Sequence, residues 1–140
     1  MATMLITLNV YAKTDPIYTS FFSSVAAGGS DVVAYFTDEN AVEGDSNYSF
    51  EYKDVEWRFS NEENLEAFKV NPAKFAPQYG GYCAWAVSQG YTAKGNPEIW
   101  RVVDGKLYLN YNDEVQADWL KDIPGFISAA NTNWPKLLAE

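Results

Sequence analysis

Residues Trp57 to Trp85, WRFSNEENLEAFKVNPAKFAPQYGGYCAW, decide how the rest of the chain is read. Val55, Trp57 and Phe59 alternate with polar residues as a half-buried strand does, and Ser60 stands three residues before Glu63. That spacing is a capping box, in which a hydroxyl and a carboxylate satisfy each other's free helix amides, so Ser60 is the predicted cap. The helix uses Leu65 and Phe68, with Val70 near its end, and stops at Asn71-Pro72, where the ring disfavours α geometry one residue earlier. Phe75, Pro77, Tyr79, Gly80, Gly81, Tyr82 and Trp85 then crowd rings around two glycines free to take positive φ, which predicts a packed corner.

Outward from there, Tyr48, Phe50 and Tyr52 alternate with Ser49, Glu51 and Lys53, and Lys53-Asp54 turns into Val55, giving a first hairpin. Glu98–Val103 and Lys106–Asn110 flank Asp104-Gly105, a dipeptide that suits a tight turn with positive φ at both residues, giving a second. Val32–Phe36 is rich in β-branched and aromatic residues and predicts a further strand. Ile17, Tyr18, Phe21, Phe22 and Val25 recur at helical spacing and predict an amphipathic helix that ends before Gly28-Gly29. Tyr82–Gln89 is a predicted helix stopped by Gly90, and Asn112 is the predicted cap of a helix through Val115, Trp119 and Leu120. Ile123–Asn131 gives another helix, and Trp134-Pro135 opens a short separate one. No internal repeat, linker or low-complexity tract is visible. Together these elements predict an α+β fold: a small antiparallel sheet of two hairpins with packed helices and a helical C-terminal extension.

Residues 4–12, MLITLNVYA, read either as a degenerate leader, which would place the protein in the periplasm or outside the cell, or as an N-terminal edge strand of a cytoplasmic protein. No run approaches the roughly 18 apolar residues of a membrane span. Residues 15–140 form one domain, since 140 residues with 47% hydrophobic content suffice for a single core. A formal charge of −9 repels nucleic acid and anionic membranes. With one cysteine and no histidine, thiolate and imidazole ligand sets for zinc or copper cannot be assembled. Asp104, Asp113, Glu114 and Asp118 with Asn110 and Asn112 could offer oxygen ligands to a hard cation, but their spacing matches no calcium loop, and acids on a first helical turn are more often a solvated end.

The stretch Trp57-Arg58-Phe59-Ser60 with Asn64, Phe68, Pro72 and Phe75 resembles the YHS domain, and the likeness extends to Asp31–Phe36, Gly80–Ala84, Val103–Asn110 and Asn133-Trp134-Pro135, over residues 15–138. It points to a small bacterial type of YHS protein, largely uncharacterised, and fold likeness does not itself supply an activity. The resemblance implies that metal-handling relatives carry cysteines where this chain has Ala34, Ser60 and Asn64, so their soft-metal site is not transferred and no cofactor is expected.

Two kinds of chemistry remain. Tyr35, Trp57, Tyr79, Tyr82, Trp85, Trp100 and Tyr108 could wall a ligand pocket, because polar-tipped rings give both contact area and orientation, or they could form an aromatic core. Arg58 and Arg101, the two arginines, could clamp an anion beside Trp57 and Trp100 or pair with surface acids. Cys83 is expected to lie buried against Tyr79, Tyr82 and Trp85; as a nucleophile it would need a thiolate-stabilising neighbour and a base. The leading expectation is therefore a non-enzymatic binding module for a small ligand or metal-related partner, with small molecules or proteins as partners. A thiol-dependent redox protein or enzyme using Cys83, and an interaction domain without ligand, are the alternatives.

Overall fold

A computed structural model describes residues 14–139, so the leader or edge strand expected in residues 4–12 lies outside the described residues. The fold is α+β, with two separate two-stranded antiparallel sheets and a long C-terminal helix. Strands β1 (Asp45–Tyr52) and β2 (Val55–Phe59) form the first hairpin, β3 (Asn96–Val103) and β4 (Lys106–Asn110) the second. The helices are α1 (Ala34–Thr37), α2 (Glu62–Val70), α3 (Pro72–Phe75), α4 (Ala84–Ser88), α5 (Asp113–Leu120) and α6 (Ile123–Ala139). None of the described helices is long and apolar enough to cross a membrane.

Several expectations are corrected. The helix predicted through Ile17–Val25 does not form: Tyr18 N–H donates to the Gly80 carbonyl at 2.9 Å, Glu56 N–H to the Ser24 carbonyl at 3.0 Å, and Val25 bridges to Glu56 in parallel. Ser23 Oγ also accepts from Val25 N–H at 3.1 Å, the local side-chain bonding that draws Ser-rich chain away from helix. Phe21 and Phe22 are left 92% and 96% exposed. Val32–Phe36 is not a strand, because the buried Asp31 carboxylate accepts from Val33 and Ala34 N–H and winds the chain into α1. Ser60 is not the cap of α2. Asn61 is, its side chain accepting from Asn64 N–H at 2.8 Å, while the Ser60 hydroxyl donates to Asp31 Oδ2 at 2.7 Å. Val70 is exposed rather than packed.

No separate helix begins at Trp134-Pro135. α6 runs through the proline, which removes one helical hydrogen bond. Contacts on both sides hold the axis: Tyr79 OH donates to Asn131 Oδ1 at 2.9 Å, Asn133 Nδ2 donates to the Val87 carbonyl at 2.9 Å, and Leu137 is buried.

The largest correction concerns the absence of a repeat, because residues 26–70 and 78–121 share one fold. Each begins with a 3-10 turn, Ala26–Gly29 or Gln78–Gly81, in which Ala27 (φ 52, ψ 32) and Gly28 (φ 61, ψ 18) match Tyr79 (φ 58, ψ 34) and Gly80 (φ 65, ψ 12). A short helix follows, then a hairpin of 8-residue and 5-residue strands. Both hairpins turn on two residues of positive φ, Lys53-Asp54 and Asp104-Gly105. Both carry the same irregularity, Asp45↔Phe59 then Ser49↔Arg58 in one, Asn96↔Asn110 then Trp100↔Leu109 in the other. Each ends in an asparagine-capped helix, Asn112 accepting from Val115 N–H at 2.8 Å as Asn61 does from Asn64. Even the ring pairs correspond, Trp57 on Phe68 at 5.1 Å and Tyr108 on Trp119 at 5.5 Å.

The residues shared by the halves sit where the backbone demands them. Gly28 and Gly29 match Gly80 and Gly81 at positive φ; Gly44 matches Gly95, where an added Cβ would meet the Arg58 backbone or the Gly81 carbonyl. Asn61 and Asn112 are the caps. Almost every other position differs, since either half can build its core from different rings.

Candidate functional site

In the first half, the Asp31 carboxylate is wholly buried and fully engaged. Oδ1 accepts from Val33 N–H (2.9 Å) and Ala34 N–H (3.2 Å); Oδ2 accepts from Ser60 N–H (2.9 Å), Ser60 Oγ (2.7 Å) and Asn64 Nδ2 (2.8 Å). This latch ties the start of α1 to the end of β2 and the first turn of α2. A buried carboxylate is tolerated when its lone pairs are all satisfied, as here. The sequence reading passed over Asp31, although an aspartate two and three residues before helical amides is a recognisable capping signal.

In the second half, Cys83 takes the place of Asp31. The N–H groups around its sulfur are those of Ala86, Tyr111 and Trp85, the counterparts of Ala34, Ser60 and Val33. Where Ser60 and Asn64 complete the first latch, the second half has Tyr111 and Val115. Neither side chain offers the sulfur the hydrogen bonds that Ser60 and Asn64 give the carboxylate. The pair leaves a groove of about 230 Å³, walled by Cys83, Trp85, Tyr91, Ala93, Tyr111 and Val115, with Ala86 behind them. Trp85 and Tyr91 meet edge to face at 6.4 Å, Tyr91 and Tyr111 are 48% and 42% exposed at the rim, and Lys94 Nζ lies 5.6 Å over the Tyr111 ring.

The thiol itself is 1% exposed. Burial pushes its pKa up, against the pull of the backbone N–H groups of Ala86, Tyr111 and Trp85. Asn110 Oδ1 stands 3.5 Å from Sγ and also accepts from Trp85 N–H at 3.1 Å, so the sulfur must donate its proton to that oxygen. A thiolate there would face an oxygen lone pair. The geometry thus holds Cys83 as a neutral thiol, with no base beside it in a chain that lacks histidine. Asn110 is itself fully buried, where its first-half counterpart is the core ring Phe59, and its Nδ2 has no partner among the described residues.

The rings expected to wall one pocket are divided. Tyr35, Trp57 and Trp100 belong to the first cluster, with Tyr35 OH donating to the Pro97 carbonyl at 2.7 Å and its ring 5.2 Å from Trp100. Tyr79, Tyr82, Trp85 and Tyr108 belong to the second. Only Cys83 and Trp85 of the expected set line the groove, while Tyr91, Ala93, Tyr111 and Val115 went unrecognised because their shared feature is a position in the repeat. Cys83 and Trp85 line it together with Tyr91 and Tyr111. Arg58 pairs through Nε with Glu56 at 2.8 Å, and Arg101 stands exposed on β3. Among the described residues, no three His, Cys, Asp or Glu side chains are grouped so that they could hold a metal ion.

No protein-family model, curated protein or solved structure matches the chain.

Proposed function

We propose that this chain is a non-enzymatic binding module of YHS type, and that the groove of its second half receives a small, neutral, flat ligand. The observation that carries this reading is the groove's construction: three ring-bearing residues and a buried neutral thiol surround a hollow at the position where the first half is filled by hydrogen-bonded side chains. Its volume lies below the roughly 300–1,000 Å³ of drug-sized sites, which suits a single or fused aromatic ring. Charge selects a neutral guest. The chain's −9 opposes an anion at a distance, and Lys94 at the rim opposes a cation at close range. Catalysis through Cys83 is disfavoured by the carboxamide oxygen that holds its proton.

A ring of about nine heavy atoms, at about 0.6 kcal/mol each, binds with Kd on the order of 10⁻⁴ M. A thermal-shift series with indole, and with its carboxylate-bearing and amine-bearing analogues, tests the reading. At ten times Kd, indole should raise stability by about 1.4 kcal/mol, which is a few degrees in Tm, and the charged analogues should do less. No shift with any neutral ring at saturating concentration would remove the ligand and leave an interaction domain as the better description.

A further inference from the structure

We infer that the groove is the unfilled counterpart of the Asp31 latch, and that Cys83, Tyr111 and Val115 are the side chains that keep it open and so determine what it admits; the second clause rests on the binding reading above, the first does not. The correspondence is one of atoms as well as of fold. In the first half three N–H groups, those of Val33, Ala34 and Ser60, converge on a carboxylate. In the second half the N–H groups of Trp85, Ala86 and Tyr111 lie around a sulfur, though that of Trp85 donates to Asn110 Oδ1 at 3.1 Å. Asp31 N–H donates to the Val42 carbonyl and Cys83 N–H to the Ala93 carbonyl, both at 2.8 Å, so the two acceptor side chains leave equivalent backbone anchored in the same way. Isolated bridges on the preceding residues, Ser30 to Glu43 and Tyr82 to Lys94, extend the match through the loop that forms the groove's outer wall.

Two features of the first half close its version of the site. Ser60 Oγ and Asn64 Nδ2 reach the carboxylate at 2.7 and 2.8 Å and occupy the space between the loop and the helix. Tyr111 instead turns its ring outward, 42% exposed, and Val115 has nothing with which to bridge. A sulfur needs fewer donors than a carboxylate, so the exchange of Asp for Cys removes the demand for the two side chains that would fill the gap. The orphaned Nδ2 of the buried Asn110 belongs to the same difference. It is a donor placed next to a group that, as a thiol, already donates to the other end of the same carboxamide. A carboxylate at that place would give the amide an acceptor on turning over, while taking the Trp85 N–H for itself as Asp31 takes that of Val33.

The test transplants the latch. Cys83→Asp alone buries a carboxylate that has backbone donors but lacks both side-chain donors, and should lower Tm by about 10 °C or abolish folding. Adding Tyr111→Ser and Val115→Asn supplies them, and the triple variant should fold and recover at least half of that loss. Indole binding, followed by NMR, should then vanish from the folded triple variant. A triple variant that melts no higher than Cys83→Asp, or that fails to fold, overturns the equivalence. Retained indole binding in a well-folded triple variant overturns the assignment of the three residues as the ones that keep the groove open. If the latch is recovered but the unsubstituted protein never binds indole, the equivalence stands and the ligand reading falls.

Discussion

Replacing Asp31 by alanine should be among the most damaging single changes available to this protein. The carboxylate accepts five hydrogen bonds at 2.7–3.2 Å and is 0% exposed. Hydrogen bonds to a charged group contribute about 1.5–3 kcal/mol each, and removing their shared acceptor leaves the donors buried and unpaired. The five do not add, because Ser60 is partly exposed and can turn to water, and because α1 can fray. Removing Asp31 strands no charge, only neutral donors of which two or three stay buried without a partner at about 1–3 kcal/mol each, so a cost of about 4 kcal/mol is expected, a large part of the roughly 5–15 kcal/mol that holds a domain of this size together. Urea unfolding followed by tryptophan fluorescence, to which the buried Trp57 contributes, measures it. Asp31→Asn keeps the shape, but one oxygen becomes a second donor facing donors, so it should lose about 2–3 kcal/mol. A loss under about 1 kcal/mol for Asp31→Ala would refute the latch, and with it the comparison on which the reading of the second half depends.

Other outcomes follow from the same contacts. Asn61→Ala and Asn112→Ala should each cost about 1 kcal/mol in a urea titration, as lost helix caps, and Ser60→Ala about 1.5 kcal/mol through its bond to Asp31 rather than through capping. Cys83 should react with a chromogenic disulfide far more slowly in the native protein than in urea, since its thiol is buried and its pKa raised; equal rates would show a thiol presented for chemistry. Burial pushes the Tyr35 phenol up to about 12, and those of Tyr82 and Tyr108 upward as well. A phenol whose folded pKa lies above its unfolded value of about 10 stabilises fully below pH 10, and that stability is lost as pH rises through the folded pKa. Stability should therefore fall between about pH 10 and 12, and Tyr35→Phe should flatten that fall; a flat profile over the range would show that the phenols are not held protonated by the fold. Phe21→Ser with Phe22→Ser should change stability by less than about 0.5 kcal/mol, because both rings are already in water.

What was legible in the sequence was what local chemistry dictates. Asp104-Gly105 and Lys53-Asp54 between alternating strands announce the two hairpins, Asn112 its helix, and Gly90 the end of α4. Tertiary contacts decided the rest. The helical spacing in Ile17–Val25 lost to backbone pairing with Gly80 and Glu56, and the β-branched pair Val32-Val33 lost to one aspartate that captured two amides. Ser60 looked like a cap because its hydroxyl is correctly spaced, yet a buried carboxylate distant in sequence is the stronger acceptor. The repeat was hidden because the halves agree mainly at glycines and caps, and because Asp31 and Cys83, the residues that define the two versions of the site, share no side-chain chemistry. With Gly28-Gly29 matched to Gly80-Gly81 and, one residue shorter through the loop between, Gly44 to Gly95, Tyr111 and Val115 stand opposite Ser60 and Asn64, and the groove's walls become readable.

The most direct measurement is a two-dimensional NMR titration of the uniformly labelled protein with indole, read residue by residue. Shifts confined to residues 83–93 and 111–115, with none at the first-half counterparts 31–42 and 60–64, are the result expected of one open and one closed version of the same site. Shifts of equal size in both halves, or none anywhere at millimolar indole, would contradict it.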